Sequence, residues 1–136
     1  TGVQTCALPI FIFSGALDAF PKLQVSLPHA GGALPIWRGR LDRGFEIRGE
    51  CKHLPRKPSE YLRRFTYDTI SYSEPIMDYL VGLVGAERIM MGSDYCFDIA
   101  YNDPVKIVNG IKSLDDGERR QILWGNAARL LKLGNP

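Results

Sequence analysis

The feature that most constrains this chain is a break in hydropathy between residues 87 and 97. A charged pair, Glu87-Arg88, opens the short apolar run Ile89-Met90-Met91; Gly92-Ser93 closes it, and Asp94 follows at once. Such a run fits a strand of a parallel sheet, and the glycine lets the backbone turn sharply. A carboxylate set directly after the turn lies at the strand's C-terminal end. The competing reading is an Asp that caps the next helix or turn. An earlier stretch of the same design weighs against it. Leu23-Gln24-Val25-Ser26-Leu27 alternates apolar and polar residues, and Pro28-His29-Ala30-Gly31-Gly32 breaks the alternation. That stretch reads as a strand ending in His29, with a glycine-rich turn into a helix.

The remaining elements alternate around these two. Phe11 to Phe20 reads as a helix with Phe13, Ala16, Leu17 and Phe20 on one face, stopped by Pro21. Ala33 to Phe45 is helical, with Pro35 in its first turn and a basic run of Arg38, Arg40 and Arg43. Glu46 to Lys57 reads as a long loop, Ser59 to Phe65 as a short helix, and Thr66 to Ile70 as a second strand. Glu74-Pro75 starts a helix with an apolar stripe of Ile76, Leu80, Leu83 and Val84, ended by Gly85. After the third strand, Arg88 to Met91, Asp103-Pro104 opens another helix. Ser113 to Trp124 forms the next, which Gly125 should break. Asn126 should then cap a last helix through Leu133, with Leu130 and Leu131 inward. Strands alternating with helices predict an α/β fold with a parallel sheet. In a (β/α)8 barrel the active site gathers at the C-terminal strand ends, where His29 and Asp94 both fall. A whole barrel takes roughly 250 residues. The expectation is therefore the C-terminal portion of one, about three βα units.

Composition narrows the setting. The chain has 136 residues, 45% hydrophobic and 24% charged, with a net charge of +2, the balance of one soluble globular domain. No stretch approaches a membrane span, and the apolar Ala7 to Phe13 lacks the basic leader and cleavage site of a signal peptide. Cysteines at 6, 51 and 96 follow no recognisable spacing, which points to a reduced, cytoplasmic setting. Residues 1–10, Thr-Gly-Val-Gln-Thr-Cys-Ala-Leu-Pro-Ile, resemble the in-frame translation of a widely used sequencing adapter. They are excluded from the fold as a foreign stretch, leaving 11–136 as a partial domain from a truncated gene.

Five segments in register carry a family likeness. Leu27-Pro28-His29-Ala30-Gly31-Gly32-Ala33-Leu34-Pro35, Gly39-Arg40-Leu41-Asp42-Arg43-Gly44, Tyr67-Asp68-Thr69, Gly92-Ser93-Asp94-Tyr95-Cys96-Phe97 and Gly125-Asn126-Ala127-Ala128-Arg129-Leu130-Leu131 occur in this order. Together they resemble the amidohydrolase-related family typified by aminocarboxymuconate-semialdehyde decarboxylase, over about residues 11 to 133. The chain departs from that pattern at Cys96, where many relatives have Pro, and at Ala30, where many have Gly. It also has no His-x-His pair and no mid-barrel histidine.

The resemblance implies a metal-dependent decarboxylase or hydrolase acting through a metal-bound water on a small carboxylated, often aromatic-derived substrate. Asp94 matches a metal ligand, and His29 matches the histidine that orients or deprotonates that water. The resemblance implies a divalent metal, zinc with manganese the alternative, and zinc accepts imidazole nitrogen and carboxylate oxygen. Arg40 matches an arginine that reaches into a neighbouring subunit to hold a substrate carboxylate, and Phe97 an aromatic that lies against the substrate. The parent would then be a homodimer. Asp94 and His29 offer at most two of the ligands a catalytic metal needs, so the chain alone is expected to be inactive. His53 near Cys51 suggests a Cys-x-His metal fragment, but no second pair completes it, so a solvated loop residue is the expectation. Cys96 is expected to pack as a small residue. The alternative class is a non-catalytic basic binding module. Its nucleic-acid form, built on Arg38, Arg40, Arg43 and Arg48, is opposed by the interleaved Asp42, Glu46 and Glu50 and by the lack of a stacking platform.

Overall fold

In the computed structural model, which describes residues 9–134, three short strands form one parallel sheet in the order β1 (Val25–Leu27), β2 (Phe65–Asp68), β3 (Ile89–Met90). The register pairs Leu27 with Tyr67 and Tyr67 with Ile89. All three C-terminal ends therefore reach the same edge. Helices α1 (Leu34–Ile47) and α2 (Glu74–Val84) are the crossovers; α3 (Pro104–Gly110), α4 (Asp116–Arg120) and α5 (Asn126–Leu131) follow. Side chains alternate across the sheet. Leu27, Phe65, Tyr67 and Ile89 are buried in the core, whereas Ser26 is exposed and Thr66 and Met90 are half-buried.

The crossover α2 has the expected bounds. Gly85 ends it at φ 88°, with its N–H donating to the Val81 carbonyl (2.8 Å). Leu80 and Val84 of the expected stripe are buried, and Met77 and Val81 complete it at i, i+3, i+4, i+7; Ile76 is exposed and Leu83 half-buried. Asp103 caps α3 by accepting from the Lys106 N–H, as its Asp-Pro start predicts.

Several expectations need correction. The first helical stretch is not continuous. Residues 9–13 are helical, Gly15 turns the chain at φ 73°, and a single turn, Ala16–Ala19, follows. Ile12 and Leu17 are the buried residues, and Phe20 is 64% exposed. The adapter assignment lies outside the described residues for positions 1–8; Ile10 is exposed. β1 is shorter than Leu23–Leu27, because a turn from the Phe20 carbonyl to the Leu23 N–H occupies its start. The span Glu46 to Lys57 is less loop-like than expected: α1 runs to Ile47, and a 3-10 turn spans Gly49–Cys51. Pro58–Arg64 is a 3-10 helix that leads directly into β2.

The largest correction concerns the C-terminal helices. Asp115 and Glu118 form a reciprocal capping box, so α4 starts at Asp116, whereas Ser113 bonds instead to Asp78. Gly125 does not break the helix. Its backbone is helical, and Gln121–Gly125 form a π-turn that joins α4 to α5. The wider turn leaves the Ile122 carbonyl to accept from the Met91 N–H (2.9 Å), which fastens the end of β3. Asn126 is no cap either. It is buried, and its Nδ2 donates to the carbonyls of Ala86 (2.8 Å) and Ile89 (2.7 Å), while its Oδ1 accepts from Arg129. Turning Asn126 inward directs Ala128 to the core and leaves Leu131 65% exposed and Leu130 half-buried. Among the described residues, no helix is long and apolar enough to cross a membrane.

Removing Asn126 should therefore loosen β3. Asn126→Ala takes a side-chain donor from two enclosed carbonyls, of which that of Ala86 keeps the Ile89 N–H, and is expected to cost about 1–3 kcal/mol. Urea unfolding of the two proteins at equal concentration reads this as a lower midpoint with an unchanged slope.

Candidate active site

The strand ends carry an unusual backbone. Five non-glycine residues have positive φ among the described residues: His29 (58°), Ala30 (53°), Tyr72 (55°), Asp94 (61°) and Lys132 (56°). Four of the five lie just beyond β1, β2 or β3. Left-handed backbone is disfavoured for these residue types, and its concentration here marks a constrained site.

His29 stands two residues after β1. Pro28 is extended and ends the ladder; His29, Ala30, Gly31 and Gly32 then all take positive φ before α1 begins. Gly31 is required. A Cβ at Gly31 would lie 2.6 Å from a ring carbon of Tyr67, which is buried with its hydroxyl bonded to the Leu62 carbonyl. The carboxylate of Asp68 receives the turn. Its Oδ2 accepts from the His29 N–H (3.0 Å), and its Oδ1 accepts from Ala30 N–H (2.9 Å) and Ile70 N–H (2.9 Å).

Asp94 is delivered by the Gly92-Ser93 turn after β3. Thr69, fully buried beyond the end of β2, clips that turn: its Oγ1 accepts from the Gly92 N–H (3.1 Å) and lies 3.4 Å from the Gly92 carbonyl. A Cβ at Gly92 would come 3.2 Å from the Cβ of Asp68. The result is that Asp94 Oδ1 lies 3.8 Å from His29 Nε2, with the histidine side chain half-exposed and the aspartate side chain 12% exposed. The other carboxylate oxygen, Oδ2, is 3.2 Å from the Tyr72 hydroxyl, which also donates to the Ile99 carbonyl (2.6 Å). Tyr72 stacks on Tyr101, with ring centroids 4.6 Å apart. Partial desolvation, then the bond to Asp94 and its charge, push the Tyr72 phenol above its ordinary range. Burial does the same for Tyr101, assisted by Glu74.

Two clefts open beside the pair. One of about 570 Å³ runs from His29 between the first turns of α1 and α2 and is mostly apolar, with Pro35, Ile36, Ile76 and Tyr79 in its walls. The other, about 680 Å³, is walled by Tyr72, Glu74, Tyr101 and Lys106.

The structure thus brings His29 and Asp94 together. It does not bring Arg40 or Phe97 to them. Arg40 is exposed on α1, with no hydrogen bond or ion pair among the described residues. Phe97 is 67% exposed; only its backbone N–H reaches back, to the Asp94 carbonyl. Cys96 is exposed rather than packed, because the loop carries it outward. His53 is exposed as expected, with its two ring nitrogens 2.9 Å and 2.8 Å from the carbonyls of Glu50 and Phe13. The basic run is partly neutralised on the spot, Arg43 by Glu46 and Arg48 by Glu50. Among the described residues, no three His, Cys, Asp or Glu side chains gather closely enough to hold a metal ion. Sequence reasoning assigned no role to Asp68, Thr69 or Tyr72. Asp68 repeats the signal of Asp94, a carboxylate that closes an apolar strand, and was open to the same argument. Tyr72 carried no such signal.

Parallel βα units with polar side chains converging beyond the strand ends define a (β/α)8-barrel type of active-site edge. The sequence profile of the amidohydrolase family matches residues 4–133, and the chain belongs to that family. It is 32% identical over 133 residues to the 2-amino-3-carboxymuconate-6-semialdehyde decarboxylase of Dictyostelium discoideum, an alignment that covers 96% of this chain and 37% of that protein. Among solved structures, the 5-carboxyvanillate decarboxylase of Sphingomonas paucimobilis superposes with a TM-score of 0.82 at 29% identity, over 96% of this chain and 40% of the other. The dihydroxybenzoic acid decarboxylase of Polaromonas, solved with bound manganese and the inhibitor 2-nitroresorcinol, gives 0.80 at 29% identity, over 98% and 40%. The chain thus spans about two-fifths of the length of the relatives it matches.

The tightness of the His29 turn gives a direct test. Gly31→Ala places a methyl group against the Tyr67 ring at a φ that alanine resists, at an expected cost of about 2–4 kcal/mol. A lowered thermal midpoint, together with altered NMR signals of His29, would register it; unchanged values for both would show that the turn is slack.

Proposed function

We propose that this chain contributes His29 and Asp94 to the active site of a metal-dependent decarboxylase acting on a small carboxylated, aromatic-derived substrate. The observation that carries the reading is the 3.8 Å approach of His29 Nε2 to Asp94 Oδ1 at the C-terminal edge of a parallel sheet. The names of the matched relatives support decarboxylation over hydrolysis. A binding module without chemistry has no need to hold a histidine and a carboxylate in this way.

The donor set fits a divalent ion. Asp94 presents a carboxylate oxygen at the site edge, a ligand type that zinc and manganese both accept, and the His29 imidazole stands 3.8 Å from it to handle a proton. Zinc is the assignment made here, and manganese, bound in the Polaromonas relative, is the alternative. When bound, the ion supplies a Lewis acid that polarises the substrate's oxygen substituents. Asp94 would be the ligand, with Oδ1 forward and Oδ2 steadied by Tyr72. His29, half-exposed beside the apolar cleft, would hand a proton to the ring carbon as the bond to the carboxyl group breaks and CO2 departs. Arg40 would hold a substrate carboxylate by a charge-assisted bond from a second subunit of a homodimer, and Phe97 would cover the ring.

The test is a chimera in which residues 11–134 replace the matching part of the Polaromonas decarboxylase, assayed by CO2 release and elemental analysis. Arg40→Ala is expected to lower kcat/KM by about 10–100-fold, the value of one charge-assisted contact, with metal content retained. Asp94→Asn is expected to lose metal and activity together. Metal lost in Arg40→Ala, or full activity in Asp94→Asn, would overturn these roles.

A further inference from the structure

We propose that Asp68 is a positioning residue: its carboxylate sets where the His29 imidazole stands relative to Asp94. The functional weight of this inference rests on the active-site reading above; its geometric content does not. Asp68 closes β2, the central strand, opposite Met90 of β3 and one residue beyond the Leu27–Tyr67 pair. From there it acts on both neighbours. Toward β1 it accepts the backbone N–H groups of His29 and Ala30, the two consecutive non-glycine residues held at positive φ. Toward β3 its Cβ abuts Gly92, the residue that begins the turn to Asp94. The Ile70 N–H takes a further bond on Oδ1, which closes a local turn and fixes the carboxylate plane.

Both oxygens are thus committed to backbone donors, and Asp68 itself has no bond to His29 or Asp94 side chains among the described residues. Its influence runs through the backbone. If the His29 N–H were released, the residue would keep only the bond from the Gly32 N–H to its carbonyl (2.8 Å), and nothing would tie it to the end of β2. The imidazole would then swing with the backbone, away from Asp94.

Asp68→Asn separates this role from a general one in stability. Asn keeps the shape, but one of its two ends is an amide nitrogen that cannot accept. Hydrogen exchange followed by NMR on the 136-residue chain should show His29 or Ala30 N–H exchanging about tenfold faster, the equivalent of one lost hydrogen bond. The strand amides of Phe65 to Tyr67 should be unchanged. The nuclear Overhauser contact between the His29 ring and the Asp94 methylene, expected in the parent chain from the 3.8 Å approach of the two side chains, should vanish. Asp78→Asn, which removes another backbone-accepting carboxylate, should leave both readouts as they were. Persistence of the ring contact and of the N–H protection in Asp68→Asn would overturn the proposal. If that variant does not fold, the unmodified chain still decides: scalar couplings across hydrogen bonds from His29 N and Ala30 N to the Asp68 carboxyl carbon must be present, and their absence overturns it. Elemental analysis of the chimera described above tests the other reading. Failure of the chimera to hold a metal would count against the metal site, while the couplings would still support Asp68.

Discussion

β2 lies between the two strands whose ends carry His29 and Asp94, and the residues that finish it bond to either side. Asp68 takes the backbone of the His29 turn, while Thr69, buried one position later, takes the Gly92 turn through its hydroxyl. Asp68 reaches the turn on one side and Thr69 the turn on the other, so one strand end serves two turns. The parallel register makes this reach sufficient. With all three strands ending at one edge, bonds of about 3 Å close gaps of 23 to 39 residues in sequence.

Magnitudes show why such a site holds. Left-handed backbone costs a non-glycine residue about 1–2 kcal/mol, and His29 and Ala30 both incur it. A hydrogen bond to a charged acceptor contributes about 1.5–3 kcal/mol, and each of the two residues donates one to Asp68. The bonds therefore offset the strain, and the turn is held rather than merely tolerated. Gly31 and Gly32 then carry the chain through two further positive φ values, where side chains would add cost, and Gly31 also admits the Tyr67 ring.

What the sequence made legible was the grammar of the strand ends. An apolar run, a glycine turn and a polar side chain located His29 and Asp94, and Glu74-Pro75 with Gly85 bounded α2. Gly125-Asn126 misled for a physical reason. A glycine after a helical stretch is a local stop signal, but the partners that keep this helix going are distant in sequence. Asn126 is held by carbonyls 40 and 37 residues away, and Ile122 by the Met91 N–H. No window of local propensity contains them. Tyr72 was invisible because its partners, Asp94 and Ile99, belong to a different loop. Arg40 and Phe97 came from the family resemblance alone, and both side chains lie exposed.

The bonds made directly to the His29 and Asp94 turns fall between residues 29 and 101, and Ile122 and Asn126 fasten β3 behind them. This bears on how a metal would be taken up under the proposed function. Asp94 alone is too little for a catalytic zinc site, which uses three protein ligands and keeps a position open. A half-site whose backbone is already fixed loses little conformational freedom when further ligands meet it, whereas a pair on loose loops would have to be ordered at that moment. The strain stored at His29, Ala30, Tyr72 and Asp94 is then a cost met during folding of this unit rather than at the binding step. Rigid strand ends, not the ion, define where the imidazole and the carboxylate stand.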